Sequence, residues 1–137
     1  MSKINSTFQC ITCYYDFAIS GGALANGITI GTLPIYSRVY YCTITPRAVP
    51  TSATNLAQIS VGWLETGKTP QGQSFTAFFP ITLPPAFTLN VPLAYPVLFV
   101  SPEGYTNISR DIQLFSQVEN LTGGRLQIDL WYVQTEN

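Results

Sequence analysis

Arg125-Leu126-Gln127-Ile128-Asp129-Leu130-Trp131-Tyr132 decides the fold. Leu126, Ile128, Leu130 and Tyr132 fall on one side of an extended chain, and Arg125, Gln127 and Asp129 on the other. That two-residue period is the mark of a half-buried strand. Asn120-Leu121-Thr122-Gly123-Gly124 just before it reads as a turn. Further upstream, Arg38 to Thr45 alternates over a similar length, with Val39, Tyr41 and Thr43 on one face and Tyr40, Cys42 and Ile44 on the other. Two apolar faces predict a central strand, or one whose outer face meets another chain. Leu56 to Leu64 places Ala57, Ile59, Val61 and Trp63 opposite Gln58, Ser60 and Gly62, a half-buried strand with Trp63 as its anchor.

Shorter runs complete the pattern. Tyr14 to Ile19, Ile28 to Thr32, Val97 to Val100 and Ile112 to Gln117 read as strands, separated by Gly, Pro, Asn and Ser clusters. Ser74 to Leu98 holds two or three more, interrupted by Pro80, Pro84, Pro85, Pro92 and Pro96. Proline donates nothing to a ladder, so these belong at edges or corners. No helical period and no fixed repeat is present. The expectation is an all-β protein: a single antiparallel β-sandwich of about eight or nine strands, jelly-roll-like or Greek-key, spanning 1–137 with 1–11 as an extended N-terminal arm.

Composition narrows the function. The chain has 137 residues, 46% of them apolar, but only 9% charged, with six basic and seven acidic side chains and no histidine. A typical domain is about a quarter charged. Six scattered cations do not assemble a polyanion-binding surface, so nucleic acid is not an expected partner. The lack of histidine removes the commonest general base and metal ligand. No export signal is read at the N-terminus, and the prolines of the uncharged stretch Thr69 to Pro102 argue against a membrane span.

Catalytic constellations are not found. Gly72-Gln73-Ser74-Phe75 lacks the second glycine of a nucleophile elbow, and no phosphate-binding glycine loop occurs. The carboxylates read as solvated surface charge. Cys10-Ile11-Thr12-Cys13 has C-x-x-C spacing, with Cys42 the only other thiol. Three soft ligands leave a structural zinc site incomplete, and residues three apart on a strand point to opposite faces. Reduced, partly buried thiols are expected; no metal, no cofactor and no enzymatic activity are expected.

The uncharged stretch Thr69 to Pro102 is the feature that points to a role. It carries Phe75, Phe78, Phe79, Phe87 and Tyr95, more aromatic surface than one small core is expected to absorb. These five residues are the expected oligomer or docking interface, and the chain is expected to be a homo-oligomer, a trimer in the first instance. Tyrosines could also line a sugar site, because each offers an apolar face and a hydroxyl, although core and subunit contacts use them as well. Tyr105 and Asn107, in the Glu103 to Arg110 loop, are the candidates for a glycan-facing pair.

Several motifs resemble small virion proteins of tailed bacteriophages. Tyr15-Asp16-Phe17-Ala18-Ile19-Ser20-Gly21-Gly22-Ala23 is followed by Ile28-Thr29-Ile30-Gly31-Thr32-Leu33-Pro34, by Tyr40 to Thr45 and by Ala57 to Gly62. The Gly-Gly segment and Leu126 to Tyr132 continue the likeness, which covers about the first 65 residues and the last 15. The resemblance implies a non-enzymatic virion component: a capsid-decoration, head-fibre or spike subunit, often trimeric, assembled in the host cytoplasm with other virion proteins. It carries no catalytic residues. A receptor-binding or lectin-like module at a fibre tip, contacting a host surface glycan, is the alternative use of the same sandwich.

Overall fold

The computed structural model describes residues 3–4, 8–65, 73–97 and 109–136. Nine strands follow in chain order: β1 (Lys3–Ile4), β2 (Gln9–Asp16), β3 (Ile28–Leu33), β4 (Ser37–Ser52), β5 (Gln58–Glu65), β6 (Gln73–Thr82), β7 (Leu93–Pro96), β8 (Arg110–Gln117) and β9 (Leu121–Glu136). From β2 onward the chain behaves like a strip folded in half. β2 pairs with β9, β3 with β8, β4 with β7 and β5 with β6, each pair antiparallel. Two further pairings, β4 with β9 and β5 with β8, join these into two sheets. The first has the order β2-β9-β4-β7, with β1 also on β9, and the second β3-β8-β5-β6. That order is the jelly roll, and the all-β sandwich expected from the alternation is borne out.

Alternation decides what is buried. Leu126, Ile128 and Leu130 of β9 face Ile44 and Cys42 of β4 across the ladder, and all are sealed in the core. Ala57, Ile59 and Val61 of β5 with Ile112 and Leu114 of β8 supply the opposing layer. Trp63 packs at the margin of this core rather than at its centre, with the Arg110 guanidinium 5.7 Å from its ring.

Four local readings change. The strand expected over Tyr14 to Ile19 runs from Gln9 to Asp16 instead, and Phe17–Ser20 forms one helical turn. Asp16 causes the switch: its Oδ1 accepts from the Ala18 N–H at 2.9 Å, a local alternative to the ladder. Residues 9–11 of the expected arm are ordinary ladder residues, opposite Tyr132, Trp131 and Leu130. In β4 the register slips between Val39 and Tyr41. This bulge at Tyr40 shifts the phase, so Val39 joins Cys42 and Ile44 inside while Tyr41 points out.

Gly123 and Gly124 lie within β9, not in a turn. Gly124 has φ +127°, and a Cβ there would stand 2.8 Å from Pro50 Cα. The two long strands cross too closely at this point for a side chain. Gly22 answers a similar need. A Cβ on it would overlap the Leu121 carbonyl, which the β2–β3 connection approaches closely enough for Leu121 N–H to donate to Gly22 O at 2.9 Å. The strand expected over Val97 to Val100 lies outside the described residues after Val97.

Candidate functional site

The expected interface residues separate. Phe78, Phe79 and Phe87 are buried within the single chain, at 2%, 3% and 5% exposure. Tyr95 is half-buried on the inner side of β7, its ring 6.0 Å from that of Phe79. These four side chains fill the sandwich, so the docking role expected of them gives way to a core role. The physical reason is volume: two small sheets leave a gap about 10 Å thick, which large rings fill well. Phe75 lies on β6, but its side chain is outside the described residues, as are Tyr105 and Asn107 altogether.

Among the described residues, exposed apolar surface lies elsewhere, and two stretches of it stand out. The first is the outer face of the β2-β9-β4-β7 sheet. Register aligns Cys10, Trp131, Tyr41 and Pro96 in one row across the four strands. Phe8, just ahead of β2, and Tyr40, turned by the bulge, close over that row. The four aromatic side chains Phe8, Tyr40, Tyr41 and Trp131 line a shallow groove of about 450 Å³. Phe8 meets Tyr40 edge-on at 5.5 Å, Tyr41 meets Trp131 at 5.8 Å and 67°, and the Arg38 guanidinium sits 5.5 Å from the Tyr40 ring. Trp, Tyr and Arg in one patch are the residue types that anchor protein interfaces.

The second place is the opposite end of the sandwich, where the β2–β3, β4–β5, β6–β7 and β8–β9 connections gather. Ile81, Leu83, Leu89 and Val91, in and beside the proline-rich β6–β7 connection, are 39–51% exposed, and Leu56 and Val118 stand out beside them. The connection itself is held firmly. Asn90 N–H donates to Pro46 O at 2.8 Å, a 3₁₀ turn spans Pro84–Ala86, and Phe87 and Pro84 are buried beneath.

Between these two places the centre of the outer face is polar, with the exposed Tyr14 and Ile19 at its margin. The Thr12 hydroxyl donates to Asp129 Oδ1 at 2.6 Å and Gln127 Nε2 to Asp129 Oδ2 at 3.1 Å. Arg47 continues the line, donating to Gln127 Oε1 and, at 3.0 Å, to Asn90 Oδ1. At the connection end, Glu119 clamps the β4–β5 turn to the β8–β9 hairpin. Its carboxylate accepts from the hydroxyls of Thr54 and Ser52 and from the N–H groups of Thr54 and Leu56. Those bonds, the Thr54 and Ser52 hydroxyls foremost, pull its pKa from 4.5 down to about 2.

The two buried thiols, Cys13 and Cys42, are inert in this arrangement. Cys10 is exposed and Cys13 and Cys42 are buried, all three free. Desolvation raises the Cys13 thiol to about 11 and Cys42 further still. Among the described residues no cluster of His, Cys, Asp and Glu is placed to hold a metal, and no helix is long and apolar enough to cross a membrane.

Comparison with solved structures gives the fold its context. A chain in the capsid of Ralstonia phage GP4 superposes with a TM-score of 0.63 over 92% of this chain and 84% of that one, at 15% identity. This jelly roll is a fold found in phage capsids. A chain in the acid-stable capsid of Helicobacter pylori bacteriophage KHP30 matches over 100% of this chain and 99% of that one, with a TM-score of 0.58 and 12% identity. Likeness at these identities lies in the fold. No protein-family profile and no curated protein sequence matches the chain.

Proposed function

We propose that the chain is a non-enzymatic structural subunit of a virus particle, a capsid-decoration, head-fibre or spike component that works as a homo-oligomer. The observation that carries this reading is the pairing of an aromatic groove with a distant apolar rim on one rigid jelly roll. Tyr41 and Val49, which lines the rim beside Pro84 and Pro85, are eight residues apart on β4, about 26 Å at strand rise. The groove therefore cannot be filled by its own subunit's rim. A second copy fills it, its Leu83, Leu89 and Val91 seated against Trp131 and Tyr41. Such head-to-tail contacts are heterologous; where the rotation between copies closes they form a ring, of which a trimer is the smallest, and otherwise an open filament.

Two supports are independent of each other. Structural neighbours of this chain come from phage capsids, and the sequence motifs quoted above resemble phage virion proteins. The low charge content also matches a chain whose surface is covered by neighbours. The test is composition of the particle. Purified virions of the virus that encodes this chain are expected to contain it in stoichiometric amounts, and Trp131→Ala is expected to be incorporated at a fraction of the wild-type level. A particle without the chain would overturn the assignment.

A further inference from the structure

A cleft of about 310 Å³ opens on the outer face of the first sheet near its connection end, between Tyr14, Asp16 and Ile19 on one side and Arg47 on the other, with Gln127 as floor and Arg125 at its end. We infer that this cleft binds a sugar carrying a carboxylate, with Arg47 and Arg125 on the acid group and the Tyr14 ring under the apolar face of the sugar. This goes beyond the assembly reading above and does not rest on it.

The chain has few cations, and two of its six converge here. Arg47 is brought by a fault in the ladder. Pro46 pairs with Leu126 and Ala48 with Arg125, so Arg47 is the extra residue of a bulge, a device that re-aims a side chain. Its guanidinium is held by neutral amides: Nε and Nη2 donate to Gln127 Oε1 and Nη1 to Asn90 Oδ1. A guanidinium has five N–H donors, so two remain, and no carboxylate among the described residues accepts from them. Amide partners fix the position of the group without neutralising it. Charge-assisted bonds from such a fork to a carboxylate are the strongest a small ligand can make there.

Asp16 is the one carboxylate in the cleft. Its Oδ1 already accepts from Ala18 N–H, which holds the helical turn that presents Ile19. The net charge of the cleft is therefore positive. The apolar side is equally well prepared. Tyr14 is 68% exposed and lies opposite Gln127, and Ile19, fully out on its turn, extends the same wall. Beneath them Tyr15 is buried and its hydroxyl donates to Gly21 O at 2.6 Å, which anchors both walls of the turn. The volume suits one ring-sized unit.

The experiment is amide NMR titration of the intact chain with N-acetylneuraminic acid and glucuronic acid, against glucose and acetate as controls. Either acidic sugar is expected to shift the resonances of Tyr14, Arg47, Arg125 and Gln127, with affinity about tenfold above glucose and above acetate. Arg47→Gln and Arg125→Gln are each expected to weaken binding about fivefold or more. The thermal melt of each variant checks that it is folded, and Arg47→Lys, which keeps the charge but loses the fork, is expected to fall in between. Glucose binding as tightly as the acidic sugars would overturn the role of the arginines. Acetate binding as tightly would overturn the role of Tyr14. No shift in these residues with any probe would overturn the site.

Discussion

One sheet, four strands wide, carries two different chemistries at the two ends of its outer face. At the end where β9 finishes, Trp131, Tyr41, Tyr40 and Phe8 form a groove with hardly a polar atom in it. At the end where β9 begins, Arg125, Arg47, Asp16 and Gln127 surround a cleft walled by Tyr14 and Ile19. The inner faces of both ends are alike, an apolar layer of Leu, Ile, Val, Cys and Tyr side chains. The lesson is that alternation assigns residues to inside or outside, and the inside is then governed by packing alone. The outward positions are free of that constraint, and a run along a single strand can change from aromatic to charged within three rows. Function is therefore to be sought in what the outward residues add up to across neighbouring strands.

Substitutions can break or sharpen this contrast. The largest effect is expected from Ile128→Ala, which removes a fully buried side chain beneath both ends. A loss of about 3 kcal/mol in chemical denaturation is expected, together with loss of both surface activities. Trp131→Ala removes the centre of the groove. It is expected to weaken self-association by about 2 kcal/mol, roughly thirtyfold, in concentration-dependent sedimentation, and to leave the cleft intact. Gly124→Ala acts at the charged end. With φ +127° and Pro50 Cα 2.8 Å from the new methyl, it is expected to destabilise by about 1–2 kcal/mol and to disturb the cleft more than the groove.

Two milder effects follow from the titrating groups. The folded-state pKa of Glu119 is depressed, to about 2 from 4.5. Its contribution to stability is therefore present above pH 4.5 and is lost as the pH falls through that window toward 2. Glu119→Gln is expected to flatten the acid limb of a stability-against-pH curve. The smallest effect is chemical. Cys10, in the same row as Trp131 and exposed, is expected to react with a disulfide reagent at pH 8, whereas Cys13 and Cys42 stay silent until the chain unfolds. Slower labelling of Cys10 at high protein concentration would place it inside the self-association contact.

Much of the architecture was legible in the sequence because alternation is a local signal. Leu126 to Tyr132 shows its inward and outward sets without knowledge of any partner strand. The bulge at Tyr40 was not legible: nothing local distinguishes an extra residue from a regular one, and the slip is defined only against β9. The helical turn at Phe17–Ser20 was signalled by Asp16, whose side chain competes with the ladder, but an apolar run hid it. The interface expectation failed for Phe78, Phe79 and Phe87 because an uncharged stretch has two physical causes, a covered surface and a buried one, and here burial dominates. Trp131 stood in the quoted stretch without being assigned to either face. Its importance appears only when β2 and β4 bring Phe8, Tyr40 and Tyr41 beside it.

The head-to-tail contact between groove and rim is tested most directly by complementation. Trp131→Ala has a damaged groove and an intact rim; Leu89→Asp has the reverse. Each alone is expected to sediment as a monomer at about 10–100 µM, below the association of the wild type. Mixed in equal amounts, they are expected to form a single species of twice the 15.1 kDa chain mass, joined by the one good groove and the one good rim. A mixture that stays monomeric while the wild type associates, or a wild-type chain that is itself monomeric throughout that range, would contradict the account.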